Sequence, residues 1–568
     1  MKKAKIISAI TMMAVSAALL CSCGNGKKTS KVDNSKPMTF EIYDVAANYQ
    51  GMQTGWFAKV VKDKFNIELN IIAPQVAGDA IFQTRASTGN LGDIVLLEPT
   101  QFNDCLEAGL IKDISDKIKG CSNLMKFDKQ ISTFNKGLPG NSTGKYYGIP
   151  CEMMDTSPTS VTAERIYSLP QLRWDLYNKI GAPEIKNLDD LLDAFVEIRK
   201  IHPTNEKGDP AYPLSLWPDW DGGDGMIGIA NVVQLNTWYG EKIKGSAILK
   251  EDGKTFYPLT DKNGTYYKML KFLYKAKKMG VVDPDSGTQD WNSVCAKISN
   301  GQVDFIWYTW EIGFWNTTAR YADGTAFCFI PVADQKYYTD SDAYFGSGRV
   351  FGVGSKVDAA KYERIMQFLD WYASPEGCVI QHVGLEGFNY KVLPNGKFEQ
   401  MNDNALMDNL PVPAEFGGGG YSDGNNAINQ WICKSECTNP ITGEIYAPQY
   451  WASYKEKNMT QMRRDWEKKY DATDATNWMQ KNGKLVVSPS VSVSLPSDTP
   501  DISVIRNQVN QAVIDASWRM IFAKDDAEFD KMWAEMGTEV KGFGFDDLYK
   551  FDTAKHQLEV DAKLAAMK

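Results

Sequence analysis

Histidine is almost missing from this chain. The three in 568 residues, His202, His382 and His556, lie far from one another and from the Cys433-x3-Cys437 pair. That spacing excludes the usual zinc ligand sets and offers little to a histidine-activated nucleophile. Positive charge is not in excess either: 62 Lys and Arg stand against 71 Asp and Glu, a net −9 at pH 7. Such acidity argues against a nucleic-acid partner and against polyanionic ligands. Long apolar runs are absent beyond residues 6–20, and no other stretch approaches the ~20 residues of a membrane-spanning helix. Of the ten cysteines, only Cys433 and Cys437 look like a local pair. Beyond the N-terminal Cys21 and Cys23, the others are scattered singly in apolar contexts and read as buried thiols.

The N-terminus carries an address. Lys2, Lys3 and Lys5 precede the short apolar run, so residues 1–22 read as an export signal. Leu20-Cys21-Ser22-Cys23-Gly24 resembles the bacterial lipobox. That resemblance implies lipidation at Cys23 and a mature chain held at the extracellular face of the cell membrane by its lipid alone. Residues 23–37 are small, polar and lysine-bearing, a flexible tether. The remaining length exceeds what one core supports and predicts at least two lobes.

What the chain has in quantity is tryptophan, 16 residues of it, with three in the stretch Val303-Asp304-Phe305-Ile306-Trp307-Tyr308-Thr309-Trp310-Glu311-Ile312-Gly313-Phe314-Trp315. Each buried indole needs a partner for its N–H, so such density points to a partly wet surface on which sugar rings stack. Strand alternation sets Phe305, Trp307 and Thr309 on one side and Ile306, Tyr308 and Trp310 on the other. The strand is predicted to end near Thr309, with Trp307 in the core and Trp310, Glu311 and Trp315 as candidate ligand contacts. A second such group follows a strand over 212–216: Trp217 and Trp220 to stack on a sugar face, Asp219 and Asp221 to accept its hydroxyls. The acids of that tip miss the EF-hand spacing, and no metal is expected there.

Elsewhere the periodicity is regular. A strand over 39–44 leads to a helix carrying Trp56, Phe57, Val60, Val61 and Phe65 on one face. The alternating Ile67, Leu69 and Ile71, a helix over 79–88 and a buried strand over 93–97 follow. That order opens a doubly wound α/β lobe, in which Asp44 and Glu98 fall at carboxyl ends of strands, where such sheets bind ligands. A strand over 145–150 runs on to Glu152 and Asp155, and Arg349 precedes a strand at 350–353; these complete the candidate contacts. Asn187 is placed to cap a helix with Leu188, Leu191, Leu192, Phe195 and Ile198 inward.

Three passages occur in order: 172–182 with the helix after it, Phe368-Leu369-Asp370-Trp371-Tyr372-Ala373-Ser374-Pro375-Glu376-Gly377 running on to 384–390, and Asp526-Ala527-Glu528-Phe529-Asp530-Lys531-Met532-Trp533. With the lipobox, they resemble the bacterial extracellular solute-binding proteins of the carbohydrate-uptake ABC type, the large lipoprotein branch of family 1. The resemblance implies an α/β, two-lobe, periplasmic-binding-protein-like (type II) fold with ligand between the lobes and a helix-rich C-terminal extension. It implies residues 38–157 and 316–374 in the first lobe, and 158–315 and 375–568 in the second. The function implied is a monomeric receptor that captures a carbohydrate, in particular an oligosaccharide, and hands it to the permease subunits of an ABC importer, without catalysis or cofactor. Members often carry an acid-rich calcium loop where this chain has 202–211, which lacks that acid density. Two other readings stand beside it: a surface glycoside hydrolase pairing Glu311 with Glu152 or Asp221, and a polysaccharide-binding adhesin.

Overall fold

The computed structural model describes residues 32–567 apart from 46, 48, 78–79, 163–165, 224–225, 402–409, 422–423, 425–427, 429, 492 and 494. The expected signal, Cys23 and most of the tether lie outside the described residues. Among these residues no helix is long and apolar enough to cross a membrane.

The first sheet has six strands in the order Gly51–Met52, Ile67–Ile72, Met38–Asp44, Ile94–Leu97, Val350–Val353, Gly148–Pro150. Met38–Asp44 pairs in parallel with Ile67–Ile72 and Ile94–Leu97. The all-buried Ile-Val-Leu-Leu of 94–97 reads as a central parallel strand covered on both faces. Helix Gly55–Phe65 buries Trp56, Phe57, Val61 and Phe65 and packs beside Ile67–Ile72. Val350–Val353 enters antiparallel between Ile94–Leu97 and Gly148–Pro150. The second lobe is built on Ser168–Arg173, flanked antiparallel by Phe305–Tyr308 and Phe327–Phe329. Single pairings of Tyr212 with Val303 and Leu214 with Val282 carry the sheet outward. The helix Leu188–Ile201 begins as expected, with Asn187 accepting the Asp189 and Asp190 amides at 2.9 and 3.1 Å. Three C-terminal helices, Pro500–Ile521, Asp526–Gly542 and Phe545–Ala566, close the lobe.

The cores divide the chain differently from the expected boundaries. One core runs from Phe40 to Met154 and resumes from Phe351 to Trp451; the other runs from Ile166 to Tyr337 and resumes from Met462 to Leu548. Residues 316–337 therefore stay with the second lobe, because Phe327–Phe329 pairs with Ser168–Arg173. Residues 375–451 stay with the first. Ser374-Pro375 ends one helix and starts another: Ser374 accepts the Gly377 amide and Pro375 takes the first helical position. The chain crosses three times, at 154–166, 337–351 and 451–462. The first two crossings run side by side, the Met154 amide donating to Ala343 O (3.2 Å) and the Asp342 amide to Ser160 O (2.8 Å). All eight described cysteines are free thiols; Cys437 donates to Met153 O (3.3 Å) and Cys433 to Ala373 O (3.6 Å) instead of bonding each other.

Candidate functional site

The aromatic stretch builds a stepped platform. Phe305–Tyr308 is buried throughout, and the chain turns at Thr309 into a 3₁₀ turn, Thr309–Phe314. Glu311 makes that turn: its Oε2 accepts the amides of Trp307 (3.1 Å) and Tyr308 (2.9 Å). The strand therefore stops at Tyr308. Trp310 emerges half-buried, stacked on Tyr308 at 5.1 Å and 27°. Trp291 (5.3 Å) and Trp220 (6.0 Å) flank it and touch each other at 4.8 Å. Beneath them Trp217, 1% exposed, lies parallel to Trp307 at 5.7 Å and 6°. Phe314, 38% exposed, and Tyr167, 58% exposed, extend the open face against Trp291 and Tyr308. Each such ring pair adds about 0.5–1.5 kcal/mol beyond its burial, so the buried rings fix the half-open ones.

The platform's acids have internal partners. Asp219 accepts the Trp291 amide at the start of a helix (2.7 Å), and Asp221 accepts both the Ala230 amide (2.8 Å) and the Trp518 Nε1–H (2.7 Å). Burial pushes Asp221 up to about 6 and Glu311 up to about 8. Asp219, Asp221 and Glu311, expected to contact ligand, tie loop, helices and turn together; Glu311 is buried in doing so, while Asp219 stays exposed. Trp217 is a floor and not a contact surface. Trp315 leaves the group: beyond the 3₁₀ turn it lies between Arg173 (4.6 Å) and Arg320 (3.9 Å), its Nε1–H donating to Thr325 O at 2.7 Å.

In the first lobe the register brings four expected residues to one rim. Asp44 pairs with Leu96 at the end of its strand, and Val350 sits between Leu97 and Pro150, so Asp44, Glu98, Glu152 and Arg349 leave the sheet on the same edge. Arg349 Nε lies 3.0 Å from Glu98 Oε1, and its Nη1 donates to Gln430 Oε1 (2.9 Å). Glu152 Oε2 accepts from Ser347 Oγ and from Lys434 Nζ, the latter at 2.9 Å. Glu152 takes a left-handed conformation, φ +54°, held by its amide on Trp431 O (2.8 Å). Cys151 is buried under this rim; burial first, then Asp44 and Glu152, push its thiol well up, while Arg349 opposes them. Asp155, past the rim, accepts the Thr438 amide (2.9 Å). Trp431 lies 5.6 Å from His382, which burial lowers to about 4 and so keeps neutral.

Sequence reasoning missed Trp291, Tyr167, Ser347, Gln430, Trp431 and Lys434. Trp291 was legible as an aromatic opening an amphipathic helix; the others depend on pairings 81 to 282 residues apart. Gly140-Asn141-Ser142-Thr143-Gly144 is a Gly-x-Ser-x-Gly spacing, but it leads from the helix Asp128–Gly137 into the strand Gly148–Pro150. That order reverses the strand-to-helix turn that presents a nucleophile.

Both rims adjoin the crossings. Gly148–Pro150 ends four residues before Met154, and Tyr308 pairs with Ser168, the first residue of its strand after the same crossing. The platform and the polar rim thus lie at opposite ends of the same crossing.

Comparison with known proteins matches residues 51–377 to the model of the bacterial extracellular solute-binding proteins. No curated sequence matches the chain. Among solved structures, it is similar to an HMO-binding, ABC-transporter-associated solute-binding protein from Bifidobacterium longum infantis (TM-score 0.57, 13% identity, 93% of this chain and 100% of that one). It is similar to the substrate-binding protein FusA of S. pneumoniae in complex with kestose (0.52, 14%, 93% and 99%). It is also similar to the alginate-binding protein AlgQ2 (0.50, 15%, 92% and 98%). These likenesses carry the two-lobe α/β type II fold. With the family match spanning strands of both lobes and more than half of its length, the chain belongs to the bacterial extracellular solute-binding proteins.

Proposed function

We propose that the protein captures an oligosaccharide in the cleft and delivers it to an ABC importer, tethered to the membrane by lipid on Cys23. The observation that carries this reading is the half-open ring face of Trp220, Trp291, Trp310, Phe314 and Tyr167; a rim of hydrogen-bonding side chains on the other lobe supports it. Stacking faces plus polar edges are what a pyranose or furanose ring needs, and the ligands named for two structures of similar fold agree with it. Three or four stacked rings at about 1 kcal/mol each, with as many hydrogen bonds, support micromolar affinity after association costs. In this reading the ligand leaves unchanged and the receptor works as a monomer.

The test is a thermal-shift screen across mono- and oligosaccharides, followed by titration calorimetry of the hits. A ligand that binds only the folded state raises the melting temperature, by about 2.7 kcal/mol of stability at a hundred times Kd. Recovered oligosaccharide is expected intact; shortened products would favour the hydrolase. Cys23→Ser is expected to move the protein to the soluble fraction with binding unchanged.

A further inference from the structure

The fold leaves open the charge of the ligand; the cleft's own electrostatics do not. We infer that the ligand is an uncharged oligosaccharide, and that glycans bearing uronate, sialate or sulfate are rejected. The inference rests on the receptor reading above and adds the chemical class.

The first-lobe rim sets two carboxylates, Glu98 and Glu152, against two cations, Arg349 and Lys434, with Asp44 fully buried behind them. Each cation already faces a carboxylate of the same rim. Arg349 faces Glu98 through Nε and Gln430 through Nη1; Lys434 holds Glu152 at 2.9 Å. His382 behind Trp431 is neutral. On the opposite side, the platform's carboxyls are Asp219, Asp221 and Glu311, of which burial keeps Glu311 uncharged. Glu311 is met by two backbone amides, and Asp221 by an amide and an indole N–H with Asp219 beside it. Among the described residues Trp315 and Trp371 carry a lysine or arginine over their rings; Trp217, Trp220, Trp291, Trp307 and Trp310 carry none.

An anionic group closed into this cleft loses its hydration and finds carboxylates with their counter-ions already engaged. A hydroxyl-rich neutral chain finds the reverse. Its O–H groups donate to the rim carboxylates without stripping their cations, and its oxygens accept from neutral donors. The indole N–H groups of Trp310 and Trp431 are buried and have no partner among the described residues. They supply such donors without adding charge.

The experiment compares two panels on the intact protein by titration calorimetry: neutral malto-, xylo-, manno- and fructo-oligosaccharides, and oligogalacturonate, oligoalginate and sialyllactose of matched length. At least one neutral glycan is expected to bind, with every acidic glycan about a hundredfold weaker or more, the scale of an unpaired buried charge. An acidic glycan that binds as tightly as the best neutral one overturns the inference and leaves the carbohydrate reading standing. Binding from neither panel overturns both. The double variant Glu98→Gln, Glu152→Gln releases Arg349 and Lys434, and is expected to gain about tenfold toward acidic glycans from charge-assisted contacts. A folded variant with no such gain also overturns the inference, because shape and not charge would then exclude the anions.

Discussion

Between Trp307 and Trp310 the chain passes from strand to 3₁₀ turn, so two rings three residues apart respond differently to truncation. Trp307 is 2% exposed and stacked under Trp217. Trp307→Ala is expected to cost ~3–5 kcal/mol of stability as a cavity, read in a denaturant melt. Trp310 is half-buried with its face on Tyr308. Trp310→Ala is expected to weaken sugar binding by about 1–3 kcal/mol, tenfold or more, with a small stability change. Normal binding with early melting in Trp310→Ala would make this ring plain core. Glu311, one residue on, gives a pH signature. The folded protein holds its proton up to about pH 8, whereas the free side chain releases it near 4.5. The unfolded chain therefore binds fewer protons in between, and stability present below about pH 4.5 is lost as the pH rises through about 8. Glu311→Gln keeps an acceptor for the two amides and removes the titration. Wild type is expected to melt progressively lower than this variant from pH 5 to pH 8; parallel melting curves across that range would contradict the assignment.

At the scale of elements, what was legible was what is local. Asn187 capping its own helix, the alternation of 67–71 and the buried run at 94–97 follow from neighbours in sequence, and the structure has them. Asp219 and Asp221 were legible as acids on an aromatic tip but not as caps, because the amides they hold begin helices 9 and 72 residues away. A carboxylate waiting for a sugar and one satisfied by a distant helix look alike in sequence. The same limit hid Arg349 pairing with Glu98, which needs a strand inserted from 250 residues downstream. The tip itself is pinned tightly. Gly222 has φ +68°, and a Cβ there would meet the Asn510 amide nitrogen at 2.1 Å. Asp221 joins this loop to Ala230 and to Trp518 on a C-terminal helix. Asp221→Ala strands both donors and is expected to cost about 1–3 kcal/mol of stability. It should also weaken sugar binding through Trp220, although Asp221 faces the protein. Calorimetry on the folded variant showing wild-type affinity would mean that Trp220 keeps its place without this tie.

For the whole molecule, the three crossings decide how the cleft works. Each lobe has its own core, and the platform and rim belong to different cores. Only a ligand touching both gains from bringing them together. The motion has to pass through 154–166, 337–351 and 451–462. Residues 313–325 and 373–376 belong to one lobe each and lie away from these crossings. The first two crossings are bonded to each other through Met154, Ser160, Ala343 and Asp342, with Asp342 Oδ1 also accepting the Thr162 amide at 3.2 Å. They should bend as one ribbon. A ligand shifts the equilibrium toward closure only by its differential affinity for the closed form. The long oligosaccharide that reaches both rims is therefore expected to compact the protein, whereas a monosaccharide stacked on Trp310 alone binds without doing so. Small-angle scattering at saturation reads this as a smaller radius of gyration with the oligosaccharide and an unchanged one with the monosaccharide. Trp310→Ala should compact to the same extent once saturated, at a ligand concentration raised by its lost affinity. No compaction at saturation with any bound oligosaccharide would mean that the lobes are already closed, or that the rim of Glu98, Glu152 and Arg349 takes no part in holding the ligand.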